Sequence, residues 1–428
     1  MSEARPHIPG DGPFRRWLLR TIVVTALVGV GAGVAGGLVF AALHGIQHLA
    51  FNYSEGTFLN GLLEAPPAAR VIALVIAGVI GGVGWWLLRR WGVRRAEHAV
   101  VSVEAAVGGK RMPVVVTILN AGLQIIIVGL GASIGREVAP RELGALWADW
   151  LTRRAGLDAT QRKVLVACGA AAGLAAVYDV PFGGAVFALE VLLAEVTLAT
   201  VIPAFATAAI AALVAHVVVP TSPLYVMPQV ELSPPLVVGS IVIGPLLGLA
   251  ALGFVRGASF AQKHRPSGWR LAVVMPLVFA AVGVIALWIP AVLGNGRSLG
   301  QLALSAALPP LLILGITALK TLTTLGTIGA GAAGGTLTPS LAIGAGLGLA
   351  LGAAWSLLWP GAPIVGFALV GAAAFLGVTM RAPITGLVLV VEFADQGLAV
   401  LAPAMLATAG AVAVGYLLRR RSRFIETP

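Results

Sequence analysis

Long apolar runs fill most of the chain, and short polar or Gly- and Pro-rich breaks separate them. The runs lie at 21–43, 69–92, 112–131, 164–177, 181–195, 199–219, 235–255, 271–293, 302–325, 340–358, 363–379, 383–393 and 398–418. A helix needs about 20 apolar residues to cross a hydrocarbon core of ~30 Å. Runs such as 21–43 and 235–255 meet that length, whereas 164–177, 181–195 and 383–393 fall short and read as half-helices or re-entrant segments. The main breaks are 129–140, 179–184, 326–340 and 380–386. Broken helices at membrane depth are tolerated only where they are buried or line a cavity. Paired breaks in two halves of a chain point to a substrate site.

The halves are related. The stretch GAAAGLAAVYDVPFGGAVFALE from Gly169 matches GAAAFLGVTMRAPITGLVLVVE from Gly371. Gly169 and Gly371, Pro181 and Pro383, and Glu190 and Glu392 correspond at a constant offset of 202. This predicts a tail over 1–20, a first membrane repeat over 21–219, a linker over 220–235, a second repeat over 236–418 and a basic tail over 419–428. An odd number of crossings per half would invert the second copy.

Composition narrows the class. Of 428 residues, 58% are apolar and 11% charged, against roughly 25% charged in a soluble domain. The 55 glycines suit close helix approach in lipid. The net charge of +11 sits at segment ends without interleaved aromatics, which marks topology and excludes a nucleic-acid footprint. Arg5, Arg15, Arg16 and Arg20 at one end and Arg419, Arg420, Arg421 and Arg423 at the other place both termini in the cytoplasm, with an even number of crossings. Two interior clusters share that side: Arg89, Arg90, Arg94 and Arg95, then Arg153, Arg154, Arg162 and Lys163. No signal peptide is expected at the start, and no soluble regulatory domain after the last apolar run. Cys168 reads as a buried small hydrophobe. The six histidines form no complete metal-ligand motif, so neither a metal, a cofactor nor an intramembrane enzyme is expected.

The candidate chemistry lies in two glycine-rich breaks, GLGASIGREVAPRELG at 129–144 and GTIGAGAAGGTLTPSLAIG at 326–344. Pro140 and Pro339 suit the first turn of a helix. A helix start presents free N–H groups and the positive end of its dipole. Two starts aimed at one point make an anion site without a full positive charge, and bind weakly enough for release. Glu137 lies in the first break. A charge at mid-membrane costs about 2.5–3.5 kcal/mol on insertion scales and is functional by default. Its carboxylate would occupy the field that attracts an anion, plugging the site when ionised and leaving when protonated. The alternative is a surface carboxylate that caps a loop helix with Arg136 or Arg141 as partner.

These residues resemble the CLC family of chloride channels and proton/chloride exchangers. The family's GREGP reads Gly135-Arg136-Glu137-Val138-Ala139 here, and GxFxP reads Gly335-Thr336-Leu337-Thr338-Pro339. A run resembling LKxLxTxxTxGSG reads ALKTLTTLGTIGAG and places Lys320. The resemblance implies an all-α polytopic membrane protein of two inverted-topology repeats, about 18 broken and re-entrant helices, and a homodimer with one pore per subunit. It implies multi-pass insertion in a bacterial inner membrane and transport of chloride or another small anion. Glu137 matches the gating glutamate. Gly135, Arg136, Glu137 and Val138, and on the other side Thr336 and Leu337, match the two chloride-binding helix starts.

The chain departs from the family at several positions. The serine of GSGIP is missing, since that motif falls on Glu97-His98-Ala99-Val100-Val101; His98 either substitutes or is a loop histidine without a chemical role. The family's tyrosine ligand falls at Phe424. Val138 and Ala139 replace the glycine and proline of GREGP, which leaves fluoride and nitrate open beside chloride. The family's proton-relay glutamate, in a run resembling FIIEE, falls on Val191 of Phe187-Ala188-Leu189-Glu190-Val191. Adjacent helical residues point about 100° apart, so Glu190 is a poor substitute. The resemblance therefore implies a channel or a weakly coupled transporter, with a proton-coupled chloride or fluoride antiporter as the alternative. Lys320 either offsets a buried carboxylate or raises the potential of the pore. Glu190 and Glu392 read as helix-end or subunit-contact residues. Trp85, Trp86, Trp147 and Trp150 read as interfacial anchors.

Overall fold

The computed structural model describes residues 11–94 and 99–425. Among them are seventeen α-helices and no strand. Eight helices are long and apolar enough to cross a membrane. The first half holds α1 (Asp11–Phe51), α2 (Phe58–Glu64), α3 (Pro67–Arg94), α4 (Val103–Val107), α5 (Val114–Gly129), α6 (Val138–Arg154), α7 (Ala159–Tyr178), α8 (Pro181–Phe187) and α9 (Leu198–Ala215). The second holds α10 (Pro234–Lys263), α11 (Leu271–Ile285), α12 (Arg297–Leu304), α13 (Pro310–Gly329), α14 (Leu337–Leu358), α15 (Ile364–Met380), α16 (Pro383–Phe393) and α17 (Leu401–Ile425). Helix α1 starts within the basic tail, and α17 runs on through the C-terminal arginines.

Packing repeats between the halves. Helices α6 and α7 pack as α14 and α15 do, and α1 against α9 as α10 against α17. Small residues allow this. A Cβ at Gly29 or Gly33 would run into α9, and one at Gly244 or Gly248 into the backbone of α17 at Ala407 and Ala411. Without a hydrophobic drive between helices in lipid, such close backbone approach supplies the dispersion contacts. Both α7 and α15 end on a left-handed residue, Asp179 (φ 55°) and Arg381 (φ 56°). In each, a proline two residues later starts the next half-helix.

The inversion is visible where the halves meet. Gly135 N–H donates to Gly335 O at 2.7 Å, and Gly335 N–H donates to Gly135 O at 3.0 Å. Equivalent residues thus pair antiparallel with each other, as a two-fold axis between them requires. Helices α6 and α14 both start just beyond this pair. The core lies around α7, α14 and α15, whose middles are buried on all sides. A helix apolar all round belongs there.

Candidate functional site

Each glycine-rich break has the same construction. Helix α5 ends with Gly131 at φ 101° and α13 with Gly331 at φ 94°. Gly131 N–H bonds Val128 O and Ala132 N–H bonds Ile127 O; Gly331 N–H bonds Ile328 O and Ala332 N–H bonds Thr327 O. This double closure needs a left-handed residue, and glycine adopts that backbone without a Cβ penalty. The chain then turns back, makes the Gly135–Gly335 pair and starts α6 at Glu137 and α14 at Thr336. Pro140 and Pro339 are each the third residue of their helix.

Glu137 is 1% exposed. Its Oε1 accepts from Leu337 N–H at 2.6 Å, and its Oε2 lies 3.4 Å from Thr338 Oγ1. The carboxylate therefore sits on the first free amide of α14, where the helix dipole favours negative charge. A Cβ at Gly135 or Gly335 would collide with it, so those glycines make the room it fills. Arg141 Nε donates to the Glu137 carbonyl oxygen, not to its carboxylate. The Arg136 guanidinium stacks over the Tyr178 ring at 4.8 Å and lies 5.8 Å from that of Phe40. Tyr178 and Thr338 share a hydroxyl hydrogen bond of 2.8 Å.

A cavity of about 1150 Å³ leads to this point, with Val138, Gly335 and Thr336 in its wall and Arg89, Arg141 and Arg265 around it. Two helix starts, a carboxylate on one of them and a cationic approach form an arrangement suited to anions. A family model described as voltage gated chloride channel matches residues 73–416.

The chain belongs to that family.

The chain is 30% identical over 394 residues to the Voltage-gated ClC-type chloride channel ClcB of Salmonella typhi, covering 89% of this chain and 92% of the relative. To the ClcB of Escherichia coli (strain SMS-3-5 / SECEC) it is 28% identical over 393 residues, with the same coverage. The fold matches a slow cyanobacterial Cl-/H+ antiporter with a TM-score of 0.77 at 20% identity, over 96% of this chain and 99% of that one. It also matches a CLC-type fluoride/proton antiporter with a TM-score of 0.74 at 21% identity, over 92% and 94%.

Within this CLC frame, the structure brings Gly135, Arg136, Glu137, Val138, Thr336 and Leu337 together. It does not bring Lys320 to a carboxylate. Lys320 is fully buried and donates to Ser133 Oγ (2.8 Å), Val292 O (2.9 Å) and Gly294 O (2.6 Å). All three acceptors are neutral, so the charge-offset reading is wrong and the ammonium instead ties α13 to two loops. Trp85 is also not an interfacial anchor. It is 1% exposed, and its Nε1–H donates to Asn120 Oδ1 at 2.9 Å. His98 lies outside the described residues. Phe424 falls at the end of α17, and its side chain is likewise outside them. Val191 lies in a π-helical turn, Ala188–Leu193, that continues α8.

Glu190 and Glu392 turn out to be reciprocal caps. Glu190 accepts from Ile384 N–H, Thr385 N–H and Thr385 Oγ1 at the start of α16. Glu392 accepts from Phe182 N–H and Gly183 N–H at the start of α8. Sequence reading missed Tyr178, Ser133 and the group Asn120, Gln124 and Glu142. Asn120 and Gln124 carried a usable signal. They are polar at i and i+4 on a helix that is otherwise apolar save for Thr117, VVVTILNAGLQIIIVG, which marks a buried polar site.

Proposed function

We propose that the protein moves chloride across the membrane along this path, and that Glu137 gates it. The reading rests on the Glu137 carboxylate lying 2.6 Å from Leu337 N–H, in a place an anion would take. An anion enters through the arginine-lined cavity and reaches Val138, Gly335 and Thr336. Beyond them the ionised carboxylate holds the α14 start. Protonation removes its charge and weakens the charge-assisted bond. The side chain then leaves, and chloride takes the amide. Acid therefore raises flux. Gly135 and Arg136 hold the first helix start, and Lys320 stiffens the loops behind the site.

Val191 offers no ionisable group at the family's relay position, which supports a channel or a weakly coupled transporter. By the positive-inside tendency, the cavity ringed by Arg89 and Arg265, and both termini, face the cytoplasm of a bacterial inner membrane. The exposed apolar side chains Phe182, Ile202, Phe205, Ile384 and Met405 on α8, α9, α16 and α17 support a homodimer with a path in each subunit. Chloride efflux from proteoliposomes tests the function: wild type should conduct more as pH falls, and Glu137→Gln should conduct independently of that titration. A Glu137→Gln variant with the wild-type pH profile would remove Glu137 from the gate.

A further inference from the structure

A second carboxylate stands on the arginine-lined side of the gate. Glu142 is 5% exposed, lies on α6 and reaches the wall of the same cavity as Val138, Gly335 and Thr336. Five residues separate it from Glu137, an axial rise of ~7.5 Å. Among the described residues no ion pair includes it. Its hydrogen bonds among the described residues come from neutral amides. Asn120 Nδ2 donates to both carboxylate oxygens at 3.0 and 2.9 Å, and Gln124 Nε2 donates to Oε2 at 3.0 Å.

The two amides are not equivalent. Asn120 Oδ1 accepts from the buried Trp85 indole, which fixes Asn120 as a donor toward Glu142. Gln124 is fully buried, and among the described residues its Oε1 has no hydrogen-bond partner. A buried acceptor without a donor is costly, by about 1–3 kcal/mol. If Glu142 takes a proton from cavity water, it gains an O–H donor. A half-turn of the Gln124 amide then presents Oε1 to accept it. Asn120 still serves the other carboxylate oxygen. The site has hydrogen-bonding partners for both charge states of Glu142, which a purely structural carboxylate does not need.

We propose that Glu142 is a second proton-binding site of the path, with Gln124 as the amide that turns when the proton binds. The proposal rests on the chloride reading above. The charged groups around Glu142 are Arg141 beside it on α6, Glu104 on α4, and, in the wall of the same cavity, Arg89 on α3 and Arg265 in the segment after α10. Helix α5, packed directly against it, contributes only the neutral amides Asn120 and Gln124. Ionised Glu142 opposes the arginines and repels an entering anion. Protonated Glu142 leaves the cavity positive. Lower pH on the cavity side therefore raises chloride flux independently of Glu137.

The test is chloride flux in inside-out and right-side-out membrane vesicles, with pH varied on one face at a time. Wild-type flux should rise as pH falls on the cavity face, by at most about tenfold per pH unit for one proton. Glu142→Gln should lose that one-sided dependence and keep the dependence arising at Glu137, and Glu142→Asp should restore it. Asn120→Leu removes a donor that favours the ionised form, so its midpoint should move to higher pH. A one-sided pH profile unchanged in both Glu142→Gln and Asn120→Leu would overturn the proposal. Loss of all chloride flux from wild type would overturn the chloride reading instead, and Glu137→Gln distinguishes the two.

Discussion

Among the described residues, three carboxylates accept backbone N–H groups from the opposite repeat, and they differ in how they are held. Glu190 and Glu392 form a matched exchange, each capping the half-helix to which the other belongs. Each has at least two backbone donors. Glu137 has one backbone donor and a longer hydroxyl contact. Its repeat mate, 200 positions on, is Leu337, which supplies the N–H. The symmetric pair is structural because two-fold symmetry satisfies both members at once. The asymmetric carboxylate borrows a helix start that its mate leaves open, and the proposed gating exchanges it there for another anion. The same contrast holds at 120 and 320. Lys320 binds three neutral oxygens and locks loops, whereas Asn120 orients a second acid toward the cavity.

The contrast can be broken or sharpened by substitution. Lys320→Met would leave Val292 O and Gly294 O buried without their donor, and should destabilise the protein by about 3 kcal/mol or more in thermal unfolding. Glu137→Ala removes a charge-assisted bond contributing about 1.5–3 kcal/mol, so chloride flux at neutral pH should rise roughly ten- to hundredfold in liposomes. Glu190→Gln and Glu392→Gln should each lose about 1–2 kcal/mol of stability and leave the pH profile of flux unchanged. A flux change from either, equal to that of Glu137→Ala, would erase the distinction between the three. The smallest expected effect concerns protons. A chloride gradient at controlled membrane potential should drive no stoichiometric proton uptake, because Val191 carries no acid; uptake at a fixed ratio would require another relay.

Much of this was legible in the sequence, for local reasons. The breaks at 129–140 and 326–340 announce themselves by glycine, and Pro181 and Pro383 fix the repeat register. Glu137 stands out because charge is rare in such sequence. Partners were harder to read. Lys320 finds Ser133, and Tyr178 finds Thr338, only after the repeats dock, and nothing local encodes which oxygen a buried lysine meets. Trp85 misled because an indole near a basic cluster suits an interface, while its buried partner Asn120 lies on another helix. Glu190 and Glu392 were legible as a pair, but their exchange depends on α8 packing against α16.

The central claim is that a carboxylate and an anion compete for the start of α14. A crystal structure of Glu137→Ala soaked in bromide tests it most directly, because bromide scatters anomalously. The account predicts an anomalous peak within hydrogen-bonding distance of Leu337 N, in the place of the Glu137 carboxylate. Bromide bound elsewhere along the cavity, with the Leu337 amide left without an anion, would contradict it.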